Sequence, residues 1–334
     1  MRIGAKAPLS LFIIFSKNTF TAMFSSNIPL VSIVMVTYNH EKYIEKAIES
    51  VLLQKTNFHF RLIIGEDCST DDTLKICQRY QKNHSERIEL ITYEKNVGSS
   101  TNAINVFSKA VGCGSKYLAI LDGDDYWIDE YKLQKQVDAL EKNIDCSMCF
   151  TNLIRFVEKT EEYTPNVISR VPDSKIFIDE YIDKGVYMPS LTVMLKVSCY
   201  PFNIPDWVLK IIKLDWFIFL CLLRRGPAYF LNENTGVYRV NSGGIMHTKK
   251  VKLLSNSLFM VENTREYLYP EYQDVFANII SWHAADLAFA YLQEKDLKNF
   301  YKYMLKAVKS GDRKSLKWYW LKFRHALSIV KVFF

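Results

Sequence analysis

Between residues 31 and 121 the chain repeats one scheme: a short apolar run, a polar turn, then an amphipathic stretch at helical spacing. Val31-Ser32-Ile33-Val34-Met35-Val36 is a near-continuous β-branched run, the pattern of a strand buried on both faces. Thr37-Tyr38-Asn39-His40 interrupts it, and Ile44, Ala47, Ile48, Val51 and Leu52 then fall on one helical face. Phe60 to Gly65 reads as a second strand and Glu66-Asp67-Cys68 as its turn. Ser69-x-x-Asp72 has the form of a capping box opening a helix through Tyr80. Ile88 to Thr92 is a third strand, followed by the turn Asn96-Val97-Gly98. A helix marked by Ala103, Ile104, Phe107, Ala110 and Val111 comes next, and Tyr117 to Leu121 is the fourth strand. Alternation at this pitch requires a mostly parallel sheet with right-handed crossovers, an α/β, Rossmann-like class in which ligands bind beyond the carboxyl ends of the strands.

The fourth strand runs straight into Asp122-Gly123-Asp124-Asp125. Several carboxylates brought to one point by a buried strand are costly unless a cation gathers them. Hard divalent ions such as Mn²⁺ or Mg²⁺ prefer such oxygen ligands and commonly arrive with a phosphate-bearing substrate. A lone Asp-Gly would be read as a solvated turn. Here Glu66-Asp67 ends the second strand at the same edge, beside the aromatic turn Thr37-Tyr38, and the set predicts a site for a nucleotide and its metal.

Past residue 145 the alternation weakens. Cys146 to Asn152 and Leu191 to Lys196 read as strands. Asp215 opens an apolar helix from Trp216 to Leu223, Phe230 to Val240 leads as a strand into Asn241-Ser242-Gly243-Gly244, and helices follow from Lys249. Seven cysteines are scattered, and Cys146-x-x-Cys149 has no second pair at zinc spacing; the pair reads as structural, and a reducing compartment is expected. Leu9 to Phe15 is too short to span a bilayer, so residues 1–28 are expected to be a poorly ordered tail outside the fold.

The net charge of +7 is concentrated at one end: Lys298 to Phe334 holds ten Lys or Arg against the single acid Asp312, so the rest of the chain sums to −2 (7 − 9). Lys314 to Arg324 interleaves basic and aromatic side chains, which suits either an anionic membrane surface or a packed helix with a solvated basic face. No nucleic-acid-binding module accompanies it, so no nucleic-acid partner is expected.

Taken together, Val31 to Asn39, the Glu66-to-Asp71 turn, Asn96-Val97-Gly98, Asp122-Gly123-Asp124-Asp125 with Tyr126-Trp127, Leu214-Asp215-Trp216, and Tyr238-Arg239 before Gly243-Gly244 resemble, in order, the landmarks of a family 2 glycosyltransferase with the GT-A fold, of the bacterial cell-surface polysaccharide type. The resemblance covers residues 29–245, divided into a nucleotide-sugar and metal half (29–150) and an acceptor half (151–245), with 246–334 as a helical C-terminal extension. It implies that Thr37 and Tyr38 cradle the base and ribose, that Asp67 accepts the imide N–H of uracil, that Asp122 holds the ribose, and that Asp124 holds a divalent metal ion (Mn²⁺ or Mg²⁺) on the diphosphate. Asp215 resembles the catalytic base for direct, inverting attack by an acceptor hydroxyl.

Two departures stand out. Asn102-Ala103 lies where many members carry Arg-Asn, which leaves Arg239 as the candidate phosphate contact. The Gln-x-x-Arg-Trp signature of processive synthases is absent, so one sugar is expected per cycle. The resemblance thus implies a nucleotide-sugar donor, a UDP-sugar by preference, and a saccharide or lipid-linked glycan acceptor of lipopolysaccharide, capsule or exopolysaccharide. It also implies a cytoplasmic, peripheral position at the inner membrane. The rival classes are a nucleotidyltransferase, disfavoured because the first turn lacks Gly, Lys and Arg, and a non-catalytic nucleotide- or glycan-binding protein, disfavoured by Asp122, Asp124 and Asp215. None of His40, His247 and His283 is assigned to the metal.

Overall fold

The structure, a computed structural model, describes residues 28–169, 171, 174–183, 186–241, 250–268 and 272–311. The chain runs β1 (Val31–Thr37), α1 (Ile44–Leu52), β2 (Phe60–Glu66), α2 (Thr73–Asn83), β3 (Ile88–Thr92), α3 (Ser99–Gly112), β4 (Tyr117–Asp122), β5 (Tyr126–Trp127) and α4 (Lys132–Lys142). It continues through β6 (Met148–Val157), β7 (Glu162–Thr164), β8 (Lys175–Ile176), α5 (Ile178–Asp183), β9 (Met194–Lys196), α6 (Leu214–Leu223) and β10 (Ala228–Val240). Three helices close the described part: α7 (Lys250–Leu268), α8 (Gln273–Gln293) and α9 (Leu297–Ser310).

One sheet has the order β3-β2-β1-β4-β9-β6-β10-β5, with β7 added to β6 and β8 to β10. β3, β2, β1 and β4 are mutually parallel, and β6 is parallel to β10. β9 runs antiparallel between β4 and β6 and joins the two parallel halves.

The period of two in β1 divides its side chains between two cores. Val31, Ile33 and Met35 pack with α1 and α4, while Val34 packs with α3, α6 and the C-terminal helices. That division explains why the strand reads as uniformly apolar. α6 is buried almost all round, from Phe217 to Leu223, because the sheet lies on one side and α7 and α8 on the other. The C-terminal helices therefore share a core with α6 and its neighbours between residues 168 and 228. α8 is long and apolar enough to cross a membrane by length and composition, and half of its most apolar stretch is buried within the protein.

Three expectations are corrected. The capping box does not form: Ser69 Oγ accepts from Asn39 N at 2.9 Å, and α2 starts only at Thr73, whose N–H donates to Asp71 Oδ1 at 3.0 Å. Leu191 to Lys196 is not one strand, since Ser190–Thr192 forms a 3-10 turn before the short β9. Cys146 lies ahead of β6, which starts at Met148 and extends to Val157. Cys146 and Cys149 are both buried free thiols, and burial pushes the Cys149 thiol up to about 12.

Candidate functional site

Three strand ends meet at one edge. β1 pairs Thr37 with Glu66 of β2, and on its other side Val36 with Asp122 of β4. The pairing continues past the strands: Asp67 N donates to the Thr37 carbonyl at 3.0 Å, and Gly123 N to the Val36 carbonyl at 3.0 Å. Asp67 and the Asp122–Asp125 loop thus flank Thr37.

The β1 and β2 turns are laced together. Asn39 adopts φ +56°, a left-handed conformation that Asn tolerates better than most residues, and its Oδ1 accepts from Thr70 N at 2.8 Å. His40 N donates to Thr73 Oγ1 at 2.8 Å, and Glu41 N to Asp71 Oδ2 at 3.1 Å. Tyr38 is left 41% exposed at the lip, with its ring open to solvent. Thr37 is buried, and its hydroxyl bonds to His40 Nδ1 at 3.2 Å.

Asp67 is buried, and both carboxylate oxygens are engaged by main chain: Oδ1 accepts from Val97 N at 2.7 Å and Oδ2 from Gly98 N at 3.0 Å. Asn96 Nδ2 returns a bond to the Asp67 carbonyl at 3.0 Å. This residue therefore ties the β2 turn to the Asn96-Val97-Gly98 turn, where φ +90° at residue 98 demands glycine. Each oxygen keeps a second lone pair that a base N–H can use.

The acidic loop carries three carboxyl groups with different partners. Ser190 Oγ donates to Asp122 Oδ2 at 2.8 Å, and Asn241 Nδ2 to Asp124 Oδ2 at 2.9 Å. Asp125 is buried and accepts from Arg239 N at 2.7 Å. Burial, then repulsion from Asp124, pushes the Asp122 carboxyl up to about 7 against the Ser190 bond, with Asp215 adding to the repulsion. Burial and the neighbouring Asp124 and Asp122 hold Asp125 well above the usual carboxylate range. The loop is tight: a Cβ at Gly123 would sit 2.7 Å from Thr37 Oγ1 and 3.0 Å from His40 Nδ1.

Arg239 serves this loop. Its Nε donates to the Asp124 carbonyl at 2.9 Å, and its guanidinium lies 4.7 Å from the Tyr43 ring centre and 5.3 Å from that of Tyr126. Glu233, six residues earlier on β10, pairs instead with Lys135 at 2.6 Å.

Asp215 stands in the first turn of α6, and burial raises its carboxyl above the ordinary range while the Trp216 N–H and Lys213 oppose the shift. It lines a narrow apolar cavity of about 70 Å³ with Val36, Ile120 and Ser190. Ser190 thus touches both the cavity and Asp122, so the structure brings Asp215 to the acidic edge. Tyr187, about half exposed, feels the charges of both Asp125 and Asp215.

The sequence named His40 only to leave it off the metal, and it gave Ser190 and Asn241 no role at the site. His40 Nε2 lies 3.9 Å from Asp124 Oδ2, and burial lowers its pKa despite Asp124 and Asp71. Its place just after the first strand was a usable signal; the other two reach the loop from far along the chain and carried none. Gly243, Gly244 and His247 lie outside the described residues.

Among the described residues no group of three His, Cys, Asp or Glu side chains is arranged to cage a metal by itself. A hard ion shared with a diphosphate needs less, one or two carboxylates with the remaining positions taken by phosphate and water. The mutually repelling acids at the loop fit that requirement, and Asp124 is the one of the three not buried or bonded to Ser190.

The glycosyl transferase family 2 profile matches residues 32–200. TuaG of Bacillus subtilis, whose name assigns it to teichuronic acid biosynthesis as a glycosyltransferase, is 32% identical over 66% of this chain and 83% of its own length. An uncharacterised Mycobacterium tuberculosis protein is 31% identical over 65% of this chain, and the match spans only 60% of that relative's length. Among solved structures, residues 1–349 of TarS from S. aureus in complex with UDP-GlcNAc superpose with a TM-score of 0.56 at 14% identity, over 85% of this chain and 93% of that one. The mannosyltransferase PcManGT of Pyrobaculum calidifontis, in complex with GDP-Man and Mn²⁺, gives 0.54 at 13% identity, over 90% and 81%. This chain belongs to glycosyltransferase family 2 and has the GT-A fold.

Proposed function

We propose that the protein transfers a single sugar from a nucleotide-sugar to a hydroxyl of a cell-surface glycan or lipid-linked saccharide, with inversion at the anomeric carbon. The observation that carries this reading is the convergence of Asp67, Asp122, Asp124 and Asp215 around the end of β1. Tyr38 supplies an exposed ring for the base, Asp67 an anchored carboxylate for a base N–H, and Asp122 an acceptor for the ribose hydroxyls. Asp124 is the metal-facing carboxylate, and Arg239, already fixed to the loop through Nε, has its remaining N–H donors for phosphate.

A divalent cation on Asp124 and the diphosphate would stabilise the charge that develops on the departing nucleotide. The protein's own chemistry centres on Asp215. Its raised pKa makes it a stronger base than a solvated carboxylate, suited to taking the proton from the acceptor hydroxyl as that oxygen attacks. Tyr187, beside it, offers an aromatic face against which an acceptor sugar can stack.

The fold neighbours were solved with a uridine and a guanosine nucleotide-sugar respectively, so the UDP preference rests on Asp67 alone. The test is direct. Nucleotide diphosphate release and product anomer are measured with Mn²⁺ and a panel of uridine, guanosine and thymidine nucleotide-sugars. Transfer with inverted configuration is expected; a retained configuration would rule out direct attack assisted by Asp215, and inertness toward every donor would refute the reading.

A further inference from the structure

α9 presents an apolar stripe that nothing in the described structure covers. Leu297, Tyr301, Leu305 and Val308 recur at spacings of four, four and three, and so share one face; they are 55%, 67%, 55% and 44% exposed. The helix's inner face is a different one, formed by Phe300 and Ala307 against α8, with Ser281 Oγ donating to the Ala307 carbonyl at 2.6 Å. Beside that serine, Trp282 of α8 is also exposed, at 43%.

Within α9 itself the charge next to the stripe has one sign. Lys298, Lys302 and Lys309 are exposed along its flank, and residues 297 to 310 contain no acid. Lys306 is set aside, since it pairs with Glu262 of α7. Asp296 is consumed at the helix start, where its carboxylate accepts from Asn299 N at 3.0 Å and Asn299 Nδ2 at 2.7 Å.

We infer that this face of α9 is a docking surface for an anionic lipid bilayer, lying in the headgroup layer with Leu297, Tyr301, Leu305 and Val308 inserted and Lys298, Lys302 and Lys309 on the acidic headgroups. A stripe about 17 Å long at 1.5 Å per residue suits a helix lying in the interface plane rather than one crossing it. Lysines confined to one flank complement an acidic surface, whereas a second copy of the same face would set like charges against each other. The sequence past Ser310, outside the described residues beyond 311, holds six more Lys or Arg against one acid, the same sign of charge. Contacts also connect the face to the site: α9 packs on α8, and Phe276 of α8 meets Trp216, the residue after Asp215, at 6.2 Å between ring centres. The inference does not need the proposed sugar transfer, and its test uses no substrate.

The full chain is centrifuged with sucrose-loaded vesicles of phosphatidylcholine alone or with 30% phosphatidylglycerol, in low and high salt. Wild type is expected to partition onto the anionic vesicles only, less at high salt. K302Q/K309Q should weaken that partition roughly 20- to 30-fold, at about fivefold per lysine. Y301S/L305S should weaken it at both salt concentrations, with thermal unfolding unchanged because both side chains are exposed. Failure of wild type to bind anionic vesicles, or wild-type partition by both variants, would overturn the inference. So would a lipid-free dimer that Y301S/L305S converts to monomer without changing vesicle binding. Should the apolar variant misfold, the lysine variant alone decides.

Discussion

Replacing Asp122 by Asn separates what the acidic edge costs the fold from what it does for the ligand. In the free protein the Asp122 carboxyl rises from 3.8 to about 7, chiefly because it is buried. An acid whose pKa is raised on folding destabilises the native state as it ionises. The cost is absent below the unfolded value, grows between pH 4 and pH 7, and is complete above that. Three units correspond to at most about 4 kcal/mol; sharing the charge with Asp124 brings a realistic figure nearer 2 kcal/mol. Asn keeps an oxygen to accept the Ser190 hydroxyl, so little else is lost. D122N should therefore raise the ligand-free Tm by about 3 °C at pH 8 and by almost nothing at pH 3. It should also abolish the further stabilisation that wild type gains from nucleotide-sugar with Mn²⁺. Thermal scans across that pH range, with and without ligand, are the assay. Equal Tm differences at pH 3 and pH 8, or a less stable variant at pH 8, would refute the reasoning.

Other substitutions follow from the same geometry. D215N should lower kcat about 10³-fold with donor affinity within threefold of wild type, because the carboxylate acts on the acceptor; steady-state kinetics with donor titration checks this. The acidic limb of the wild-type kcat profile should lie above the ordinary carboxylate range, since burial raises Asp215. G123A places a Cβ 2.7 Å from Thr37 Oγ1 and should cost about 1–3 kcal/mol by urea unfolding, with loss of donor binding. Lys132 is fully buried over Trp127, bonded to Gln136 Oε1 at 2.5 Å, and lowered to about 7 by burial. A lysine depressed on folding destabilises below its unfolded pKa, so K132M should gain about 2–4 kcal/mol at pH 7.5, with the gain fading toward pH 10.5.

The parallel half of the sheet was readable because its strands are short apolar runs and its helices carry clean one-sided faces. Val31 to Val36, Phe60 to Gly65 and Ile88 to Thr92 each became a strand to within a residue. The acidic strand ends were readable for a related reason, since chain direction in a parallel sheet fixes which edge they reach. Local competition defeated the capping box: Ser69 and Asp71 both serve the neighbouring β1 turn. β9 was blurred because Leu191 to Lys196 is mostly apolar, and only pairing to β4 and β6 decides which residues extend. Ser190 and Asn241 reach the acidic loop across separations of 68 and 117 residues, which no local pattern encodes. Arg239 was expected as a phosphate contact, and its bond to the Asp124 carbonyl was not foreseen.

The most direct test of the account is calorimetric titration of UDP- and GDP-sugars into wild type and D124A, each with and without Mn²⁺. The account predicts that Mn²⁺ strengthens binding to wild type at least tenfold and leaves D124A unaffected. Equal metal enhancement in both proteins, or nucleotide-sugar binding indifferent to Mn²⁺ in wild type, would contradict it.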